Sequence, residues 1–240
     1  MADAALEYGA LRAIVFDLDG TLYRQQSLRR TMALRLLTAH IARPRLGFRT
    51  ARVLAAYRQA QEHLRGCQSA SSYFFDLAAL QLELACAKSG ATPEFVLKCV
   101  SRWMDEEPLP FLAARIQPGL VDFLRDARAC GLKLAVLSDY PPEAKLRALG
   151  LEASFDLVLS AQAPSVGVFK PHPRGIQIAM QLLSVTPEEC IYVGDRADVD
   201  GAAAEAAGVR AYILGPGQSF KDLHRLVVGA GMAQLLLDPA

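Results

Sequence analysis

From Pro118 onward the chain alternates short apolar runs with segments of helical period, and this alternation narrows the fold more than any other feature. The runs Leu132–Leu137, Phe155–Leu159, Cys190–Val193 and Ala211–Leu214 are largely apolar throughout. Strands without a polar face belong in a sheet covered on both sides, and helices between them supply the crossovers that parallel pairing requires. The predicted crossovers are a helix over 119–130 closed by Gly131, one opening at Pro141-Pro142 and ending near Gly150, one over 173–183, and one over 201–207 closed by Gly208. An apolar run at 11–16 supplies the first strand. The expected class is α/β, with a doubly wound, parallel, five-stranded core.

Residues 23–112 read differently, with helical period and almost no strand signal. Leu28, Met32, Leu36 and Ala39 mark a first stripe, and Val53, Tyr57, Ala60 and Leu64 a second. Leu77, Leu80, Leu84 and Ala87 mark a third, stopping at Gly90. Thr92 as N-cap and Pro93 in the first turn open a fourth, whose stripe is Val96, Val100 and Trp103 and which ends before Pro108-Leu109-Pro110. Four helices make a small bundle. The chain thus divides into a core of residues 1–22 and 113–240 and an inserted α-helical cap at 23–112. The stretch between Ser138 and Lys170 is too short for a second cap, and Ser219-Phe220-Lys221-Asp222 resembles the capped start of a last helix carrying Leu223, Leu226 and Val227.

Composition excludes several classes. In 240 residues, 52% are hydrophobic, ample for a real core. Lys+Arg at 26 against Asp+Glu at 25 leaves no net basic field to recruit nucleic acid or an anionic membrane. No apolar stretch approaches the ~18 residues of a spanning helix, and Met1–Glu7 carries acids where a signal peptide has a basic start. Cys67, Cys86, Cys99, Cys130 and Cys190 are odd in number and form no C-x-x-C pair. They are expected to be small buried hydrophobes in a reducing compartment, with the cytoplasm as default. No coiled-coil period points to an oligomeric state.

The chemistry concentrates behind the first strand, in Phe16-Asp17-Leu18-Asp19-Gly20-Thr21. A buried strand ending there delivers two carboxylates to the carboxyl edge of the sheet, where open α/β sheets hold their ligands. Asp17 and Asp19 point apart if extended, so the chain must bend at once, and Gly20 permits the bend. One carboxylate can then attack a phosphorus centre while the other handles a proton.

This segment, with Leu137-Ser138-Asp139, Gly167-Val168-Phe169-Lys170-Pro171 and Gly194-Asp195-Arg196-Ala197-Asp198-Val199-Asp200 in that order, resembles the motif set of the haloacid dehalogenase superfamily, in its phosphatase branch. The resemblance covers roughly residues 11–214 and is strongest to phosphoglycolate phosphatase-like enzymes. It implies a Rossmann-like core and a helical lid hinged near 22 and 112. It also implies a Mg²⁺-dependent phosphatase acting on a small phosphorylated metabolite through an aspartyl-phosphate. Asp17 is then the nucleophile and Asp19 the general acid and base. Lys170 becomes the charge clamp on Asp17 and on the phosphoryl group. Asp17, Asp195 and Asp200, with Asp19 through its backbone carbonyl, become the Mg²⁺ ligands. Dehalogenases of the superfamily typically lack an acid at the position of Asp19, since expelling halide needs no proton.

Around this frame, the Ser138 hydroxyl and the N–H groups of Asp139 and Tyr140 can hold phosphate oxygens beside Gly20, and Pro141 ends the row of donors. The Asp139 carboxylate is unfavourable near phosphate unless it turns away, and no catalytic role falls to it. Asp198 is read as a support behind the cation's ligands or as a loop cap, Arg196 as a partner for one of these acids, and His172 as a loop or helix-start residue. Tyr23, Arg24, Gln25 and Arg29 follow the first motif and can face the site, where Arg24 or Arg29 would favour a second anionic group on the substrate. A phosphomutase on the same scaffold, and a catalytically idle interaction protein, remain as alternatives.

Overall fold

The computed structural model describes residues 11–67, 73–215 and 218–237, so the expectations for Met1–Glu7 lie outside it. Five strands form one parallel sheet in the order β3-β2-β1-β4-β5. They are β1 (Ala13–Phe16), β2 (Lys133–Ser138), β3 (Leu157–Ser160), β4 (Cys190–Gly194) and β5 (Arg210–Ile213). β1 is central, its Phe16 in register with Val136 on one side and Val193 on the other. The chain builds outward from β1 through β2 to β3, then returns to the far side for β4 and β5. That reversal puts a crevice at the carboxyl end of β1.

The strands are apolar on both faces because both are covered. Ile14, Phe16, Leu134, Val136, Ile191 and Val193 pack under α5 (Leu120–Ala129), α6 (Glu143–Leu149) and α9 (Phe220–Leu237). The Phe16 ring meets those of Phe155 at 5.9 Å and Phe123 at 6.2 Å. Alternate residues Ala13, Val15, Ala135, Leu137 and Tyr192 face α7 (Arg174–Leu183) and α8 (Ala202–Ala206). Each strand thus divides its side chains between two cores at the two-residue period of the pleat.

Between β1 and α5 lie α1 (Gln25–Ala39), α2 (Pro44–Gly66), α3 (Leu77–Ser89) and α4 (Pro93–Val100), the last running on as a π-helix over Ser101–Glu106. Val53, Tyr57 and Ala60 of α2 pack with Ala85, Val96, Val100 and Trp103 in a core of their own. The third stripe is rotated from its expected position. The buried face of α3 is Leu77, Gln81, Ala85 and Ser89, with Leu80 and Leu84 half-buried and Ala87 exposed. Hydrogen bonding is the reason. Gln81 donates to the Tyr57 carbonyl at 3.0 Å and contacts the Tyr140 hydroxyl at 2.9 Å, and it accepts from Gln162 at 3.0 Å, so a polar side chain is buried with its valences met. The first stripe also departs: Met32 and Leu36 are half-buried and line a cavity, and Ala39 is exposed.

Entry and exit of the insert run side by side. Tyr23 bridges Ile116, the Arg24 N–H donates to the Arg115 carbonyl, and Gln117 reaches the Leu22 and Gly20 carbonyls. Tyr23, Leu28 and Leu112 belong to the same apolar cluster as Phe16. Among the described residues no helix is long and apolar enough to cross a membrane. All five cysteines are free, and Cys67 is exposed at the end of α2, against the expectation of burial.

Candidate active site

β1 ends at Phe16, and the Asp17 N–H completes the ladder on the Val193 carbonyl at 2.8 Å, which fixes the carboxylate at the sheet edge. Its Oδ1 accepts from Lys170 Nζ at 2.5 Å and its Oδ2 from the Thr21 hydroxyl at 2.9 Å. Lys170 is 4% exposed and also donates to Asp200 Oδ1 at 2.7 Å, with the Tyr192 hydroxyl at 3.1 Å. The other Asp200 oxygen accepts from the N–H groups of Asp195 and Arg196, at 3.2 and 3.0 Å. A π-helical turn over Ala197–Gly201 carries Asp200 back under the strand end.

Carboxylate oxygens of Asp17, Asp195 and Asp200 lie within 4.8 Å of one another. Three carboxylates against one ammonium would carry a net charge of −2 with all three ionised, and the site resists that charge. Burial pushes Asp17 up to about 7 against the pull of Lys170, and Asp200 adds to the rise. Burial, then Asp200, pushes Asp195 up to about 6. An all-oxygen set of that charge suits a small divalent cation such as Mg²⁺. Asp195 has no hydrogen-bond partner for its side chain among the described residues, whereas both Asp200 oxygens are engaged. Asp195 is therefore the open donor, and Asp17 and Asp200 complete the set with oxygens that also accept from Lys170. The carboxylate of Asp19 is not among these donors.

Asp19 is instead held by a residue that sequence reasoning missed. Lys145, on α6, donates to both of its oxygens at 2.7 Å, and the Tyr23 hydroxyl donates to Oδ1 at 2.5 Å. These contacts outweigh burial and hold Asp19 below the usual carboxylate range. Burial raises the Tyr23 phenol far above its own. Nothing in the local sequence marks Lys145, because it comes from a helix on the neighbouring strand's connection. Tyr192 did leave a signal, since a tyrosine inside a fully buried strand needs a partner for its hydroxyl.

Two glycines make room. Gly20 sits at φ +114°, and a Cβ there would lie 2.1 Å from Asp195 Oδ2. A Cβ on Gly194 would lie 2.4 Å from that of Asp200. Both let backbone approach the acids.

Ser138 ends β2 in the buried edge, its Oγ accepting from the Tyr140 N–H at 3.3 Å. The Asp139 carboxylate points to the insert, where Arg65 and Gln61 of α2 hold it. Arg196 pairs with Asp198 at 2.6 Å and reaches Glu62 of α2 at 3.3 Å. The His172 ring caps the Arg174 N–H at 3.1 Å. Above the acids lies a cavity of about 420 Å³ between the insert and the sheet edge, lined by Asp17, Asp19, Lys170 and Asp195 below and by Tyr23, Gln25 and Arg29 from the insert. Arg24 does not line it. Arg24 is exposed at the N-cap of α1, tied down through its backbone, which corrects the expectation that it faces the site.

The structure thus sets a buried carboxylate cluster and its lysine at the switch point of a doubly wound α/β sheet, where such sheets hold their ligands. The family model of haloacid dehalogenase-like hydrolases matches residues 11–208, and the chain belongs to that family. It is 31% identical over 205 residues to a glyceraldehyde 3-phosphate phosphatase of Methanopyrus kandleri, covering 83% of this chain and 82% of that protein. A phosphoserine phosphatase of Thermus thermophilus is 40% identical over 99 residues, 40% of this chain and 39% of that protein. Among solved structures, a 2-haloacid dehalogenase of Pseudomonas syringae pv. Tomato matches with a TM-score of 0.60 at 20% identity, covering 91% of this chain and 99% of that one. A β-phosphoglucomutase of Clostridium difficile matches with 0.59 at 17%, covering 95% and 100%. At these identities the solved structures bear on the fold alone.

Proposed function

We propose that the protein is a Mg²⁺-dependent phosphatase that hydrolyses a small-metabolite phosphate monoester through an aspartyl-phosphate on Asp17. The observation that carries this reading is the buried Lys170 ammonium shared between Asp17 and Asp200, beside the open Asp195. Asp17 attacks phosphorus and the ester P–O bond breaks. Asp19 gives the leaving oxygen its proton. Water then attacks the aspartyl-phosphate, Asp19 takes the water's proton, and inorganic phosphate leaves. Lys145 and Tyr23 hold Asp19 ionised in this structure, the state that the second half requires. The first half requires it protonated, so Lys145 has to release it in the substrate complex.

Lys170 stabilises charge on the phosphoryl oxygens, with the Ser138 hydroxyl and the Asp139 N–H at the neighbouring strand end. Asp17, Asp195 and Asp200 would hold the cation, whose charge would ease the approach of the carboxylate to the anionic phosphate. The phosphatase names of the matched relatives support the reading, and Asp19 separates it from halide displacement. Residues 11–22 and 113–237 form the catalytic unit in this scheme, and 23–112 the cap that shapes the cavity. Free cysteines throughout support work in a reducing compartment such as the cytoplasm. The mutase and non-catalytic alternatives share the scaffold, and no feature of the site favours them.

The test is phosphate release from p-nitrophenyl phosphate and a panel of metabolite phosphates, with Mg²⁺ or chelator, beside Asp17→Asn. Turnover that requires both Mg²⁺ and Asp17 is the expected result. Turnover that survives Asp17→Asn would refute the covalent mechanism.

A further inference from the structure

The cavity is lined by six cationic side chains, Arg29, Arg58, Arg65, Lys145, Lys170 and Arg196. Four of them are engaged. Lys170 holds Asp17 and Asp200, Lys145 holds Asp19, Arg65 holds Asp139 and Glu62, and Arg196 holds Asp198 and Glu62. Arg29 of α1 and Arg58 of α2 have no ion pair or hydrogen bond among the described residues. Their own helices offer none, since residues 20–61 contain nine arginines and not one Asp or Glu. The two charges bear on each other. Burial, then the Arg29 charge, lowers the Arg58 guanidinium from its ordinary value. Arg29, Arg58 and Asp195 line the same cavity, and the Arg29 charge also bears on Asp195. Both side chains are exposed to solvent while lining the cavity, so an oxyanion entering it meets two guanidiniums that no protein carboxylate neutralises, and guanidinium forks fit oxyanions. Met32, Leu36, Leu54 and Trp103 line the same space, and its volume of about 420 Å³ suits a small molecule.

We propose that Arg29 and Arg58 form a second anion site, so that the preferred substrates are phosphomonoesters whose leaving group itself carries a carboxylate or a second phosphate. This rests on the phosphatase reading and extends it from reaction to substrate class. Sequence alone put Arg24 beside Arg29; the fold replaces it with Arg58, 34 residues further along the chain.

The test compares kcat/KM within matched pairs, 3-phosphoglycerate against glycerol 3-phosphate for the carboxylate and fructose 1,6-bisphosphate against fructose 6-phosphate for the phosphate. It uses the wild type, Arg29→Gln and Arg58→Gln, with p-nitrophenyl phosphate reporting whether each protein turns over at all. The expected result is a wild-type preference for the more anionic member of one pair, falling by about tenfold or more in each variant. Arg58→Lys should restore part of it. Ratios unaltered by either variant overturn the proposal, as does an equal loss on both members of each pair, which would assign the arginines to the transferred phosphoryl group. A readout independent of turnover is calorimetric titration of 3-phosphoglycerate and glycerol 3-phosphate onto Asp17→Asn, with and without Arg58→Gln. If no phosphate is turned over, the phosphatase reading fails while this titration still decides the anion site. A selective loss of 3-phosphoglycerate affinity supports it, and equal affinities throughout overturn it.

Discussion

Replacing Asp17 by asparagine should abolish turnover and yet, in metal-free protein, stabilise the fold at alkaline pH. Burial raises the Asp17 pKa from 3.8 to about 7, even with Lys170 in contact. An acid whose pKa is higher folded than unfolded binds its proton more tightly in the native state. Ionising it therefore costs stability progressively as pH climbs above 3.8, and the cost levels off above about 7. That span is about 3 pH units at about 1.4 kcal/mol each, a ceiling of about 4 kcal/mol. Asparagine behaves as the neutral acid does. Its amide oxygen still accepts from Lys170, which keeps Asp200 at 2.7 Å. Its amide nitrogen cannot accept from the Thr21 hydroxyl as Oδ2 does, which returns about 1 kcal/mol. The net expectation is a gain of about 3 kcal/mol at pH 8, shrinking below about 1 kcal/mol at pH 5. For a chain of this size that is a rise of roughly 5–10 °C in Tm at pH 8. Paired thermal melts of the two proteins at both pH values, in chelator, read it directly. A variant no more stable than wild type at pH 8, or one whose gain is the same at pH 5, would refute the reasoning. On the proposed function, adding Mg²⁺ should narrow the difference, because a cation held by the acid cluster would stabilise the wild type.

Other perturbations probe the supports of the site. Gly20→Ala places a methyl 2.1 Å from Asp195 Oδ2 at φ +114°, so Mg²⁺ affinity by calorimetry should fall at least about tenfold; unchanged binding would mean that Asp195 is not a ligand. Arg65→Met leaves the half-buried Asp139 carboxylate with Gln61 alone and should cost about 2–4 kcal/mol in urea denaturation. Adding Asp139→Asn should recover most of that loss, and a double variant no more stable than the single one would deny that the pair couples α2 to the sheet edge. Lys170→Met removes the counter-charge of two buried carboxylates, and kcat should drop by about 10²–10³ or more in steady-state assays.

The structure also bears on how the site is built. Asp17, Lys170 and Asp200 each lie between the carboxyl end of a strand and the helix that follows it, so the sheet fixes their mutual positions. Arg65 of α2 ties Asp139 at the end of β2 to the insert, and Lys145 of α6 braces Asp19 from within the core.

Much of this was legible in the chain order. Strands were expected at 11–16, 132–137, 155–159, 190–193 and 211–214, and all five appear within two residues of those limits. The reason is local: an apolar run between helix stops has few ways to hide both of its faces. Asp17, Lys170, Asp195 and Asp200 were legible for a related reason, since each adjoins a strand end or a turn that its neighbours in sequence specify. The α3 face was misjudged because hydropathy assigns Gln81 and Ser89 to solvent. Only the arrival of Tyr57, Tyr140 and Gln162 around Gln81 makes its burial favourable.

The sequence by itself determined the class of fold, the carboxyl edge at which chemistry gathers, and the acids and lysine that gather there. Tertiary structure alone decided that Lys145 and Tyr23 hold Asp19 ionised, that Arg65 draws Asp139 toward the insert, and that Arg58 rather than Arg24 accompanies Arg29. Strand ends and turns are set by neighbours along the chain, within reach of a local reading. Ion pairs between a helix and a strand-end loop, such as Arg65–Asp139 and Lys145–Asp19, depend on packing between segments some 70 to 130 residues apart, and no local pattern encodes which charge will meet which.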